Sequence, residues 1–124
     1  MDTGHYIHEE SEELYRQQRR LERIKKYIDD NLSSDLSAAV VSEKFSISIS
    51  TLHHSFKKHL LQSYQRYVEK VRMNKAMAMI QSGKRIREIM AATGYKNRST
   101  FYNAFKRIFK HTPATFKNDR GNDP

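Results

Sequence analysis

The chain has 124 residues, carries 23 Lys plus Arg against 14 Asp plus Glu, and contains no cysteine. That length holds one compact domain or two tightly joined small ones, and the missing thiols exclude disulfides and thiolate-bound metals, which suits a reducing cytoplasm. The longest apolar run, residues 76–80, is far too short to span a bilayer, and no apolar signal segment follows the N-terminus.

Residues 1–12 are polar, lack a helical stripe and are expected to be disordered. From about Ser11, Leu14, Leu21 and Ile28 recur every seven residues with Ile24 between them, which predicts a helix to about Asn31 whose stripe is continued by Tyr27 and Leu32. That helix either packs on the domain or, over residues 12–20, is a linker or dimer helix once joined to another domain. Ser33-Ser34-Asp35 breaks the pattern, and Ser37 is placed to cap a helix of about 38–45 that turns Ala38, Val41 and Phe45 inward. Ser46 takes the next turn and Ser48 caps a helix of about 49–60. Leu52, Phe56 and Leu60 line one face of it, while Ser50, His53, His54 and Lys57 line another. A long helix over about 64–81 carries Tyr64, Tyr67, Val68, Val71, Ala76, Met79 and Ile80, and Ser82-Gly83 ends it. Next come a helix at about 86–92, a turn at Gly94, a cap at Asn97 and a helix at about 98–109. Thr112-Pro113 then starts a last short helix. No β-alternation of any length intervenes, so the chain reads as all-α with about seven helices.

The pattern is a repeat at a spacing of about forty-nine residues. Leu52-x-x-x-Phe56-Lys57-Lys58 recurs as Phe101-x-x-x-Phe105-Lys106-Arg107, and Ala38-x-x-Val41 ahead of Ser46 recurs as Ile86-x-x-Ile89 ahead of Gly94. Each copy outlines a short helix, a tight turn and a second helix with a basic end, which is a helix-turn-helix. Charge agrees with that outline. Residues 1–20 hold three bases and five acids, which leaves the body from residue 21 at +11 and attractive to a polyanion such as nucleic acid.

From about Leu21 to Lys117 these residues resemble the DNA-binding domain of the AraC/XylS transcription regulators. The most specific stretch is Ile86-x-x-Ile89-x-x-x-x-Gly94-Tyr95-x-x-x-x-x-Phe101-x-x-x-Phe105-Lys106-x-x-Phe109-x-x-Thr112-Pro113-x-x-Phe116; the first copy matches through Ser37, Val41, Ser48, Leu52, Phe56-Lys57-Lys58 and Tyr67. The resemblance implies a polar extension over 1–20, partly disordered or helical, a first helix-turn-helix unit over 21–62 and a connecting helix over 63–82. A second unit over 83–120 and a tail at 121–124 complete it. It implies two recognition helices in successive major grooves of double-stranded DNA. A connecting helix of about 27 Å suits units that sit roughly 34 Å apart. By the same similarity, base contacts fall to Ser50, His53 and His54 in the first unit and to Arg98, Ser99 and Asn103 in the second. Lys57, Lys58, Lys106 and Arg107 close the recognition helices, where they suit phosphate and also offset the helix dipole. The family would act in a bacterial cytoplasm as an activator touching RNA polymerase, with no cofactor, and with an effector ligand only where a sensor domain precedes this one. Where the family usually has glycine, this chain has Ser46, Leu61 and Lys110. A left-handed backbone at such residues costs about 1–2 kcal/mol, so either those turns are built differently or the first unit is less firmly held.

Other readings compete. His53, His54 and His59 cannot converge on one metal ion, because neighbours on a helix point about 100° apart and His59 lies on another turn. Phe45, Phe56, Phe101, Phe105, Phe109 and Phe116 have the spacing of a core, not of a base-stacking platform. Tyr102 shares the outward face with Asn103, as DNA contact or as plain surface, and Arg72 suits either a phosphate or an internal ion pair. Only Glu69, Glu88 and Asp119 are acidic between Lys44 and Arg120, and no phosphate loop or nucleophile set is present, so the chain is not read as an enzyme. The rivals to a sequence-specific regulator are a non-specific architectural DNA-binding protein and a basic protein-interaction module.

Overall fold

A computed structural model describes residues 3–117, with side chains from residue 9 onward. Within them the chain forms six α-helices and a closing 3-10 turn, and no strand. The helices are α1 (Thr3–Asp30), α2 (Ala38–Lys44), α3 (Ile49–Leu60), α4 (Tyr64–Gln81), α5 (Ile86–Thr93) and α6 (Arg98–Phe109), and the turn is Pro113–Phe116. The tail at 121–124 and residues 118–120 lie outside the described residues.

Disorder over residues 1–12 was the expectation, yet α1 already runs from Thr3; residues 1 and 2 lie outside the description. An apolar stripe is one source of helix, but good helix formers and side-chain pairs three or four apart are another. Glu13 accepts hydrogen bonds from Arg16 at 2.7 Å and from Gln17 at 3.2 Å, and Lys26 donates to Asp30 at 2.9 Å. These contacts hold the Glu13 carboxyl below its usual range, chiefly through the Arg16 hydrogen bond, and raise Lys26. The apolar stripe is buried only from Leu21; Leu14, one heptad earlier, is 42% exposed.

The chain divides into two compact units, one of residues up to 30 with 37–64, the other of 31–36 with 65 onward. In the first, Leu21, Ile24 and Ile28 of α1 are buried, as are Val41 of α2, Leu52 and Phe56 of α3, and Tyr64. Each large apolar side chain so placed contributes about 1.5–3 kcal/mol. Tyr64 meets the Phe56 ring edge-on at 5.1 Å, and Phe45 meets Tyr27 at 5.8 Å. Ala38 and Phe45 are only half-buried, because α2 ends at Lys44 and leaves Phe45 as its cap.

The second unit takes in α4, which is therefore part of a core as well as a connector. Met73, Ala76 and Ile80 cluster there with Ile89 of α5 and Phe101, Ala104 and Phe105 of α6. Phe109 and Phe116 close over Phe105 at 4.7 and 5.8 Å, which is what the Thr-Pro coda positions. Arg72 pairs with no carboxylate among the described residues; its guanidinium donates to the carbonyls of Leu32 at 3.3 Å and Ser34 at 2.9 Å, tying segment 31–36 to this unit. Gly94 turns between α5 and α6 with φ +82, and a Cβ there would stand 2.5 Å from the Leu32 carbonyl and 2.9 Å from Arg72 Nη2. Only glycine satisfies both the backbone angle and the space.

Candidate nucleic-acid interface

The second helices of the two copies are in register to the residue. Ser48 accepts from the backbone N–H of Thr51 at 2.9 Å and Asn97, forty-nine positions on, accepts from that of Thr100 at 3.0 Å, so each second helix starts on a side-chain cap. Each also ends the same way, on a left-handed residue: Leu61 with φ 58 and Lys110 with φ 67. Together with Ser46 at φ 56, these are the three non-glycine residues with positive φ among those described. The turns are thus built in the glycine-like way without glycine, at about 1–2 kcal/mol each.

On α3, Leu52, Ser55 and Phe56 are buried while Ser50, His54, Lys57 and Lys58 are exposed. His53 is half-buried, its ring edge-on to Tyr64 at 6.3 Å and 83°. On α6, Phe101, Ala104 and Phe105 are buried while Arg98, Ser99, Asn103, Lys106 and Arg107 are exposed. Tyr102 is the register mate of His53 and behaves alike: half-buried, edge-on to Phe101 at 5.6 Å, with the Arg98 guanidinium 5.6 Å above its ring. That stacking orients Arg98 along the first turn of its helix. Exposed polar groups on a face backed by a buried apolar face can meet base edges without unfolding anything.

The helix-closing cations differ. The side chains of Lys57, Lys58 and Lys106 make no hydrogen bond or ion pair among the described residues. Arg107 is committed, its Nε donating to Glu69 Oε1 at 3.1 Å and Nη2 to Oε2 at 2.7 Å. That hydrogen bond, with the Glu69 charge behind it, holds Arg107 above its usual range. Among the described residues no group of three or more His, Asp or Glu is placed to hold a metal ion, and no helix is long and apolar enough to cross a membrane.

By sequence Arg20 falls in the polar extension over 1–20, but its side chain lines a cleft with His54 and Lys58 of α3. The signal was available in helical phase: Gln17 and Arg20 flank the same face of α1 as Leu21 and Ile24.

Comparison with known proteins agrees with this geometry. A sequence model of the helix-turn-helix domain matches residues 41–119. The HTH-type transcriptional activator RhaS of Salmonella arizonae is 28% identical over 102 residues, covering 82% of this chain but only 37% of the relative. The chain therefore spans little more than a third of the curated relatives it matches. The C-terminal domain of AraT, a response regulator from Geobacillus stearothermophilus, superposes with a TM-score of 0.76 at 29% identity, covering 79% of this chain and 83% of that one. The C-terminal domain of the two-component response regulator yesN from Fusobacterium nucleatum gives 0.73 at 26%, covering 78% and 96%.

Proposed function

The chain belongs to the AraC/XylS type of helix-turn-helix DNA-binding domains, which are parts of transcription regulators and not enzymes, and from that premise we propose that it reads specific sequences in double-stranded DNA. α3 and α6 each enter a major-groove segment of one duplex. Ser50 and His54 meet base edges in the first; Arg98, Ser99 and Asn103 do so in the second, while Lys57, Lys58 and Lys106 rest on phosphates. His53 contributes through the placement of α3, since its ring is packed on Tyr64. The observation that carries this reading is the register of the two caps, two buried faces and two exposed polar faces at one spacing.

The outward faces are not uniformly cationic. Asn103 has an amide suited to adenine N6 and N7, and Arg98 can pair with guanine O6 and N7, each good contact discriminating by about 1–3 kcal/mol. A charge-only binder needs neither. By analogy with relatives named as transcriptional activators, the regulator activates transcription; contact with RNA polymerase in a bacterial cytoplasm is part of the same proposal.

Selection from a pool of randomised duplexes tests the proposal. Two conserved segments about one helical turn apart should be enriched, and Asn103→Ala should erase the preference in one segment while leaving random-duplex affinity nearly unchanged. Equal loss on selected and random DNA would show that α6 does not read bases.

A further inference from the structure

Four arginines occupy one stretch of α1, and three of them are engaged. Arg16 is hydrogen-bonded to Glu13; Arg19 donates to the Tyr15 hydroxyl at 3.2 Å with its guanidinium 5.8 Å from that ring; Arg23 lies 6.0 Å from the Phe45 ring. Arg20 has no hydrogen bond, ion pair or ring partner among the described residues. It feels Glu13 only through space, and Glu13 is already held by Arg16 and Gln17. Its side chain is half-buried and lines a small cleft against α3 with His54, Lys58 and His59, and no carboxylate lines that cleft.

The two unpaired cations, Arg20 and Lys58, face one space without an acid and repel each other, and an anion relieves that repulsion. Two of the four basic residues there, His54 and Lys58, stand on the exposed side of the recognition helix, so the cleft is continuous with the proposed DNA-facing surface. Arginine suits the task, because its planar fork matches phosphate oxygens in pairs.

We propose that Arg20, with Lys58, forms a phosphate clamp in which α1 grips the DNA backbone beside the groove entered by α3. The proposal rests on the DNA-binding reading and extends it to a helix outside the segment matched by the family model, 41–119. A phosphate held from α1 on one side and α3 on the other fixes the tilt of α3 in its groove.

The test is the salt dependence of binding of the whole chain to a random duplex, which reports phosphate contacts without needing the target sequence. Arg20→Ala should weaken binding roughly 3- to 10-fold and flatten the log–log slope by about one unit. Arg20→Lys should keep most of the slope, since a point charge still engages phosphate. Arg19→Ala removes the same charge one residue away and should leave the slope at the wild-type value; equal flattening in the two alanine variants would replace the clamp with a diffuse field. A wild-type slope in Arg20→Ala, in a protein that itself binds steeply, overturns the clamp and leaves the DNA reading standing. Absence of salt-dependent binding by the wild type would sink the DNA reading, and the clamp with it.

Discussion

The Arg107 guanidinium makes two parallel hydrogen bonds to the Glu69 carboxylate, so the last cation of α6 is neutralised by the helix that carries α6. Its register mate Lys58 has no such partner among the described residues. Two residues that look equivalent in the repeat should therefore behave differently toward a polyanion. Lys58→Ala should weaken binding to all duplexes and flatten the salt slope by about one unit, whereas Arg107→Ala should change the slope much less. Glu69→Gln should release Arg107 and steepen the slope by about one unit. An unchanged slope for Glu69→Gln would mean that Arg107 reaches no phosphate even when freed.

Gly94 is held by angle and by space together. A methyl at this site must adopt a left-handed backbone, costing about 1–2 kcal/mol, and must also displace the Leu32 carbonyl and Arg72. Gly94→Ala should destabilise the protein by about 2–4 kcal/mol in denaturant unfolding. Arg72→Ala leaves two carbonyls without their donor and should act in the same direction by a smaller amount. A midpoint shift equivalent to under about 1 kcal/mol for Gly94→Ala would contradict the close approach of segment 31–36.

Ser46 and Leu61 pose the opposite case, since both hold left-handed φ with a side chain and Leu61 is 86% exposed. Glycine relieves about 1–2 kcal/mol of strain in the folded state, and its freer unfolded chain returns about 0.4–1 kcal/mol. Ser46→Gly and Leu61→Gly should each stabilise by about 0.5–1 kcal/mol net. Lower thermal midpoints in both would show that these side chains do something that outweighs the strain.

Those two positions, with Lys110, also mark what the sequence could disclose. Register, caps and turn sites were legible because they depend on local chemistry: Ser37, Ser48 and Asn97 are caps, and Ser46, Leu61 and Lys110 are the left-handed residues where glycine was expected. Partners distant in sequence were not. Nothing local to Arg72 points to carbonyls thirty-eight and forty residues away, and nothing local to Arg107 selects Glu69 over a phosphate. Met73, fully buried in α4, escaped the apolar stripe because the residues beside it are polar. The reach of α1 beyond its apolar stripe has a different cause. Ahead of Leu21 the described part of the helix is held by charged side-chain pairs such as Glu13 with Arg16, which an apolar period does not register.

Tyr95 gives a pH dependence. Burial is the main cause that raises its phenol above the ordinary range, and the Glu69 charge adds to this while Arg72 and Arg107 oppose it. The folded state thus keeps the proton longer than the unfolded chain. Its contribution to stability is complete below the unfolded value of about 10 and is lost as pH rises through the higher folded value. Tyr95→Phe should lose less thermal stability than wild type between about pH 9 and pH 11.5. Parallel losses in the two proteins would remove Tyr95 as the group responsible.

His53 and His54 are neighbours with different surroundings, and separating them tests the orientation of α3 most directly. His53 packs edge-on against Tyr64, a contact of a kind worth about 0.5–1.5 kcal/mol beyond its buried area. His54 is exposed and lines the cleft with Arg20 and Lys58. His53→Ala should therefore lower stability by about 1 kcal/mol and weaken DNA binding mainly through a looser α3. His54→Ala should leave stability within about 0.5 kcal/mol of wild type and yet reduce affinity for a selected site. Paired unfolding and binding measurements on the two variants distinguish these outcomes. If His54→Ala unfolded earlier and His53→Ala bound DNA worse at full stability, α3 would be rotated by about one residue, roughly 100°, from the orientation that places Ser50, His54 and Lys57 toward the duplex.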